Sequence, residues 1–392
     1  MPTPPDAVPA RLALSTGEVF HGRGFGAITR TDDPVAWTGE VVFNTAMSGY
    51  QESLTDPSYI GQILVQTTPM IGNTGVNAID AESGGIRVSG LVVHEYVDRH
   101  SSYRALASLD DALRRGGVPG ISGVDTRALT MILRSRGVTM GVLSSDTDRT
   151  DAQLVGDARH APGMAGSDLA SGAAGETTEP TPGVDAWRRV APASGERVCV
   201  ALIDCGAKDN IARCLIDAGA DPVAVPMDTS ADSLRSMLIR GEIRGVMLSN
   251  GPGDPAALAG LVATVRALLE DPELERSPIY GICLGHQILA LAMGATTYKL
   301  PFGHRGINHP ILDEDDGRVL VTSQNHGFAV EADSWGAAPV RVSHVHLNDG
   351  TIGGLAHTGR PVRSVQFHPE GAPGPHDAAP FFEDFVRQCW GH

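Results

Sequence analysis

Pro278–Gly294 reads PIYGICLGHQILALAMG, and two different periodicities meet inside it at one cysteine. Upstream, Ile279–Ile282 is a short apolar run of the kind buried on both faces of a parallel sheet. Downstream, LGHQILALAMG carries apolar residues at helical spacing. Gly281 and Gly285 flank Cys283 in a G-x-C-x-G string. This is the spacing of a G-x-S-x-G nucleophile elbow with sulfur in place of the hydroxyl. A sharp strand-to-helix turn crowds its neighbours, and glycines relieve the crowding. Such a turn belongs to an α/β sheet, where ligands bind at the carboxyl ends of the strands.

The α/β rhythm extends upstream from this elbow. Arg197–Asp204 (RVCVALID) is another buried-strand run, Lys208–Ala218 has a helical period, and Pro222–Pro226 predicts the next strand. Ala231–Ile239 predicts a helix, Gly245–Ser249 a strand, and Ala256–Leu269 a further helix. Strands separated by crossover helices imply a mostly parallel central sheet with helices on both faces.

The chain's 392 residues are too many for one compact core. Residues 1–170 are expected to form a β-rich α+β domain, with strands at Ala13–Leu14, Glu18–His21, Glu40–Asn44, Gln62–Gln66 and Ser89–His94. Asp125-Thr126 supplies an N-cap for a helix over Arg127–Arg134, and Gly137 its stop. Residues 171–196, rich in Gly, Pro, Ala, Thr and Ser, predict a linker with one short turn around Trp187. The α/β domain then occupies residues 197–392.

With 30 basic against 46 acidic residues the net charge is -16, which argues against nucleic acid as a partner. The five cysteines, Cys199, Cys205, Cys214, Cys283 and Cys389, are odd in number and form no C-x-x-C pair. They make neither a disulfide framework nor a zinc site, so no metal site is expected. The N-terminus MPTPPDAVPARLAL lacks the apolar run of a signal peptide, and no stretch approaches the ~18 apolar residues of a membrane span. A cytoplasmic location without membrane association is the expectation.

Most lone cysteines are buried core thiols, and Cys199 and Cys205 are read that way. Cys283 differs because the elbow sets its sulfur near a helix N-terminus, where unpaired N–H groups and the helix dipole favour a thiolate. The N–H of Leu284 is then a donor for an oxyanion. A thiol nucleophile needs a base. Val365–Glu370 (VQFHPE) ends an apolar run with His368, halts it with Pro369, and places Glu370 two residues on. A carboxylate so close can bond the far ring nitrogen, fix the tautomer and stabilise the imidazolium. By itself H-P-E is a common string; beside the elbow it becomes a base for the cysteine.

G-I-C-L-G-H-Q (Gly281–Gln287), F-H-P-E (Phe367–Glu370) and L-S-N-G-P-G-D-P (Leu248–Pro255) together resemble the class I, or triad, glutamine amidotransferases. In the first half, NTAMSGYQESLTDPSY (Asn44–Tyr59), His21-Gly22-Arg23, Ile71-Gly72-Asn73 and GVDTRAL (Gly123–Leu129) resemble the small-subunit family of carbamoyl phosphate synthetases. QNHGFAV (Gln324–Val330), Phe302-Gly303-His304 and PGPHDAAPF (Pro373–Phe381) add to that likeness.

The resemblance implies a class I amidotransferase domain that hydrolyses L-glutamine. Cys283 would be the nucleophile, His368 the acid/base and Glu370 its orienting carboxylate. The amides of Gly251 and Leu284 would form the oxyanion hole. Ser58, Gly251, Gly253, Leu284, Gln287, Asn325, Gly327 and Phe328 would hold glutamine. His286, His304, His309 and His326 are read as structural or interface residues. A large synthetase subunit would receive the ammonia and supply the ATP and metal-ion chemistry. This chain would need no cofactor, and the product would feed arginine and pyrimidine synthesis. No G-x-x-x-x-G-K-[ST] loop occurs in the sequence, in keeping with that division. Two rivals stand beside this reading: an amidotransferase or amidase serving another synthetase or none, and a silent binding subunit that keeps only the fold.

Overall fold

The computed structural model describes residues 8–28, 36–175 and 195–391, which divide into two compact units, 1–164 and 165–392. The expected linker falls mostly on 176–194, and the turn around Trp187 with it, outside the described residues.

In the first unit the strands are β1 (Val8–Leu14), β2 (Val19–Gly26), β3 (Ala36–Asn44), β4 (Gln62–Gln66), β5 (Met70–Ile71), β6 (Gly90–Val92), β7 (Glu95–Tyr96), β8 (Pro119–Ser122) and β9 (Thr139–Ser144). Its helices are α1 (Tyr50–Thr55), α2 (Leu109–Arg115), α3 (Thr126–Arg136) and α4 (Asp151–His160). Seven strands close into a barrel in the order β1-β2-β8-β6-β4-β3-β9, while β5 and β7 pair separately. Every residue of β4 is buried, because barrel interior and covering helices take its two faces. Val42, Leu54, Leu64, Leu91 and Leu113 belong to one core cluster. The expected cap of α3 is present: Ala128 N–H donates to Asp125 Oδ1 at 2.9 Å, and Gly137 ends the helix at φ 90°.

The second unit opens with the short helix α5 (Ala170–Ala173), whose Ala170 lies in the core of that unit. There follow β10 (Val198–Asp204), α6 (Asp209–Asp217), β11 (Ala220–Pro226), α7 (Ala231–Ile239), β12 (Val246–Leu248), α8 (Ala259–Glu270), β13 (Ile279–Ile282) and α9 (Leu284–Ala292). Then come β14 (Thr297–Asp313), β15 (Val319–Val330), β16 (Val340–His346), β17 (Ile352–His357), β18 (Val362–Val365) and α10 (Pro380–Cys389). One nine-stranded sheet runs β11-β10-β12-β13-β18-β17-β16-β14-β15. The pairs from β11 to β18 are parallel and the remainder antiparallel. Leu234, Val265 and Leu289 cover one face through α7, α8 and α9. Ile211, Leu215, Phe382 and Phe385 cover the other through α6 and α10. The expected helix from Ala256 starts later, at Ala259. Asp254 accepts from Ala256 N–H at 2.9 Å and caps a single 3-10 turn over Pro255–Ala257 instead. The sheet thus sets the carboxyl ends of β10, β12, β13 and β18 side by side.

Candidate active site

Cys283 follows the last residue of β13 with φ 54° and ψ -102°, a left-handed conformation that side chains rarely adopt. Such strain costs about 1–3 kcal/mol and persists only where the surroundings over-determine it. Here they do. Cys283 N–H donates to Val365 O at 2.9 Å, and Gly285 N–H to Ser249 O at 3.1 Å, so both neighbouring parallel strands grip the turn. A Cβ on Gly281 would stand 2.5 Å from Gly285 O, and one on Gly285 would stand 2.4 Å from Leu248 O. The two glycines are therefore required sterically. As the first helical residue, Leu284 carries an N–H with no intrahelical acceptor.

The sulfur is 3% exposed, yet its surroundings are polar. Sγ lies 3.6 Å from Asn325 O and 3.8 Å from Gln366 Nε2. The charge of Cys283 is among the influences that raise the His368 pKa, which sets the imidazole near the sulfur. That histidine follows β18 and is held by its own N–H, which donates to Ser323 O at 2.9 Å. Its Nδ1 donates to Glu370 Oε1 at 2.6 Å. Nε2, buried and without a hydrogen-bond partner among the described residues, is the ring atom left to serve the sulfur.

Behind Glu370 stands Lys208, buried at the N-cap of α6 in the loop that follows β10. Its Nζ donates to Glu370 Oε1 at 3.0 Å and to Gly371 O at 2.7 Å. Asn210 Nδ2 donates to Glu370 O at 2.6 Å. Burial alone would raise the Glu370 pKa, but the charges of Lys208 and His368 outweigh it and hold the carboxyl well below the usual range. Burial would likewise lower the His368 pKa; the charges of Glu370 and Cys283 outweigh it and favour the imidazolium. The imidazole, carboxylate and ammonium form one buried chain behind the sulfur.

Gln287, on the first turn of α9, is buried rather than solvated. Its Nε2 donates to Phe328 O at 2.8 Å and to Gln366 Oε1 at 3.0 Å, leaving Oε1 without a partner among the described residues. Asn325, Gly327 and Phe328 lie together on β15, where Asn325 O faces the sulfur. Gly251 and Gly253 occupy the loop after β12. A Cβ on Gly251 would be 2.1 Å from Cys205 O and 2.8 Å from Leu284 Cδ2, so this loop presses onto the elbow. Gly253 has φ 98°. Ser58 lies in the first unit, where its N–H donates to Asp56 Oδ1 at 2.9 Å in a 3-10 turn. His286 is fully buried and bonded to Ser364 Oγ at 2.8 Å, with its pKa pushed down to about 3 by burial.

Two residues of this arrangement escape the sequence reading. Lys208 stands at the start of a helical period, where the structure has it as the N-cap residue of α6, and nothing in the local pattern marks its buried ammonium. Gln366, which joins Cys283 to Gln287, is one residue inside the apolar run that precedes His368 and carries no local mark.

A strained cysteine between a parallel strand and a helix, on a sheet flanked by helices, belongs to the class I glutamine amidotransferase fold. Residues 201–388 match the family model "Glutamine amidotransferase class-I". Residues 12–143 match "Carbamoyl-phosphate synthase small chain, CPSase domain". A carbamoyl phosphate synthase small chain from Nostoc sp. is 44% identical over 389 residues, covering 98% of this chain and 96% of that protein. Those of Synechococcus sp. and Thioalkalivibrio sulfidiphilus are 47% and 46% identical, covering 96% and 97% of this chain and 92% and 97% of theirs. A glutamine amidotransferase of known structure from Thermotoga maritima aligns with 45% of this chain and 77% of its own, with TM-score 0.35 and 17% identity. The chain belongs to the carbamoyl phosphate synthase small-chain family.

Proposed function

We propose that the chain hydrolyses L-glutamine to glutamate and ammonia through Cys283, His368 and Glu370, and delivers the ammonia to a large synthetase chain for ATP-dependent carbamoyl phosphate synthesis. One observation carries the reading: a cysteine held in a strained turn beside an imidazole whose far nitrogen is bonded to a buried carboxylate. The Cys283 thiolate attacks the side-chain carbonyl carbon of glutamine. The oxyanion accepts from the N–H groups of Leu284 and Gly251, each such donor being worth about 3–4 kcal/mol in the barrier. The C–N bond then breaks as His368 gives its proton to the departing nitrogen, leaving ammonia and a γ-glutamyl thioester. Neutral His368 takes a proton from water; the hydroxide adds to the thioester, the C–S bond breaks, and glutamate leaves with the thiolate restored.

Gln287, Asn325, Gly327 and Phe328, with Gly253 and Ser58, are assigned to glutamine. Ammonia in neutral water is protonated and loses its nucleophilicity, so direct transfer to the partner chain fits the chemistry, and arginine and pyrimidine synthesis are the pathways served. No described helix is long and apolar enough to cross a membrane, and all five cysteines are free thiols, in keeping with a reducing, cytoplasmic setting. The test is synthesis by the complex with its large chain. Cys283→Ser is expected to abolish glutamine-dependent synthesis and to leave synthesis from added ammonium nearly unchanged. Loss of both together would mean that the cysteine is structural.

A further inference from the structure

Four histidines and one aspartate gather on the antiparallel side of the second unit's sheet, and the proposed glutamine chemistry uses none of their side chains. His304 on β14, His346 at the end of β16 and Asp349 in the turn beyond it each present a donor atom, all within 4.8 Å of one another. His304 Nε2 is 2.7 Å from Asp349 Oδ2, and His346 Nδ1 is 3.3 Å from Asp349 Oδ1. The two rings stack with centroids 4.3 Å apart. His326 and His309 stand behind them, with His304 Nδ1 to His326 Nε2 at 3.2 Å and His309 Nδ1 to His346 Nε2 at 3.0 Å.

The partners fix where the protons are. The Phe328 carbonyl only accepts, so His326 Nδ1, 2.7 Å from it, carries that ring's proton and Nε2 is bare. His304 must then donate from Nδ1, which leaves the Nε2 of a neutral His304 bare and aimed at a carboxylate oxygen. The other side repeats the pattern. Asn348 N–H donates to His346 Nδ1 at 3.2 Å, a bond that an ion on that nitrogen would replace, so the ring's own proton sits on Nε2, pointing to His309. Two imidazole nitrogens and a carboxylate thus converge within 4.8 Å, with Asp349 Oδ1 also accepting from Thr351 N–H at 3.1 Å and from Thr351 Oγ1 at 2.8 Å. Such a convergence has the donor set to hold a cation.

We propose that His304 Nε2, His346 Nδ1 and the Asp349 carboxylate bind a divalent first-row transition metal. Two imidazoles and a carboxylate suit zinc and its neighbours rather than magnesium or calcium. Donors at the usual zinc distances of about 2.0–2.1 Å stand about 3.3 Å apart in a tetrahedron, close to the span already present between His346 and Asp349. Asp349 has 40% of its side chain exposed, which gives an ion an entry path and leaves a coordination position for water. His326 and His309 take the outer-shell role, each bonded to the far nitrogen of a ligand and fixing its tautomer. The ion would clamp β14 to β16 and, through His326, to β15, the strand that carries Asn325–Phe328.

The test uses the full chain, stripped with a chelator and titrated with zinc or with cobalt as a spectroscopic probe. One equivalent should bind per chain, with a cobalt spectrum free of thiolate charge-transfer bands. Asp349→Asn should weaken binding at least 10-fold, His346→Ala at least as much, and Cys283→Ser not at all. A circular dichroism melt of each metal-free variant separates lost ligation from lost folding, and Asp349, being partly exposed, is the variant least exposed to that ambiguity. Binding of less than one equivalent, or binding that survives Asp349→Asn and His346→Ala at full affinity, would overturn the proposal. So would binding lost in Cys283→Ser.

Discussion

Lys208 is the residue on which the candidate triad's electrostatics turn. It is a buried ammonium bonded to a buried carboxylate, and removing one partner of such a pair strands the other. Lys208→Met should therefore destabilise the fold by about 3–5 kcal/mol and lower glutaminase kcat at least 10-fold, since Glu370 loses its anchor and His368 its orientation. The pH dependence has a definite sign. The folded-state pKa of Glu370 is depressed from 4.5 to about 2, so its contribution to stability is present above about pH 4.5 and fades as the pH falls toward 2. The variant loses the leading cause of that depression. Urea midpoints of the two proteins should differ most at pH 5 and above and converge as the pH approaches 2; a constant gap across that range would show that Lys208 acts through packing alone. At this scale the sequence displays Cys283, His368 and Glu370, because each stands in a local pattern of strand end, glycine and proline. Lys208 and Gln366 are hidden there because their partners lie far along the chain, Glu370 for one and Cys283 with Gln287 for the other.

The element that does most for the site is the turn from β13 into α9. A Gly→Ala change inside a helix ordinarily stabilises it by up to about 1 kcal/mol. At Gly285 the balance reverses, because the new methyl would stand 2.4 Å from the carbonyl oxygen of Leu248. Either β12 or the helix start must shift, and each shift moves Cys283. Gly285→Ala should cost stability instead of adding it and reduce glutaminase kcat at least 100-fold, whereas Gly260→Ala inside α8, whose Cβ meets nothing within 4 Å, should spare kcat. Equal activity of wild type and Gly285→Ala would mean that the turn tolerates opening. The parallel elements around this turn are plain in the sequence, since strands such as β10 and β13 are continuous apolar runs separated by helical periods. The long hairpin of β14 and β15 is not. Its strands carry prolines, glycines and histidines, and register shifts occur between Lys299 and His304 and between Gly306 and His309. Those interruptions erase the alternation that marks a strand. The same irregular strands bring the histidine cluster together, so a reading of local pattern leaves His304, His309 and His326 without a role.

Over the whole chain, the first unit's β character is legible in short alternating runs, but its closure is not. Closure depends on β1 pairing with the distant β9 as well as with its sequence neighbour β2, and no local pattern encodes the pairing with β9. The second unit supplies a thiol, a base and amide donors, the groups needed to release ammonia from an amide. The sequence has no G-x-x-x-x-G-K-[ST] loop, the phosphate cradle that ATP chemistry commonly uses. The proposed reaction therefore divides between two chains. With glutamine alone, this chain should release glutamate and ammonia in equal amounts, and adding ATP and bicarbonate should yield no carbamoyl phosphate. Adding the large chain should produce it, with one glutamate formed for each carbamoyl phosphate when coupling is tight. Carbamoyl phosphate made by this chain alone would break the division, and glutamate release that persisted in Cys283→Ser would place the hydrolysis somewhere other than the elbow.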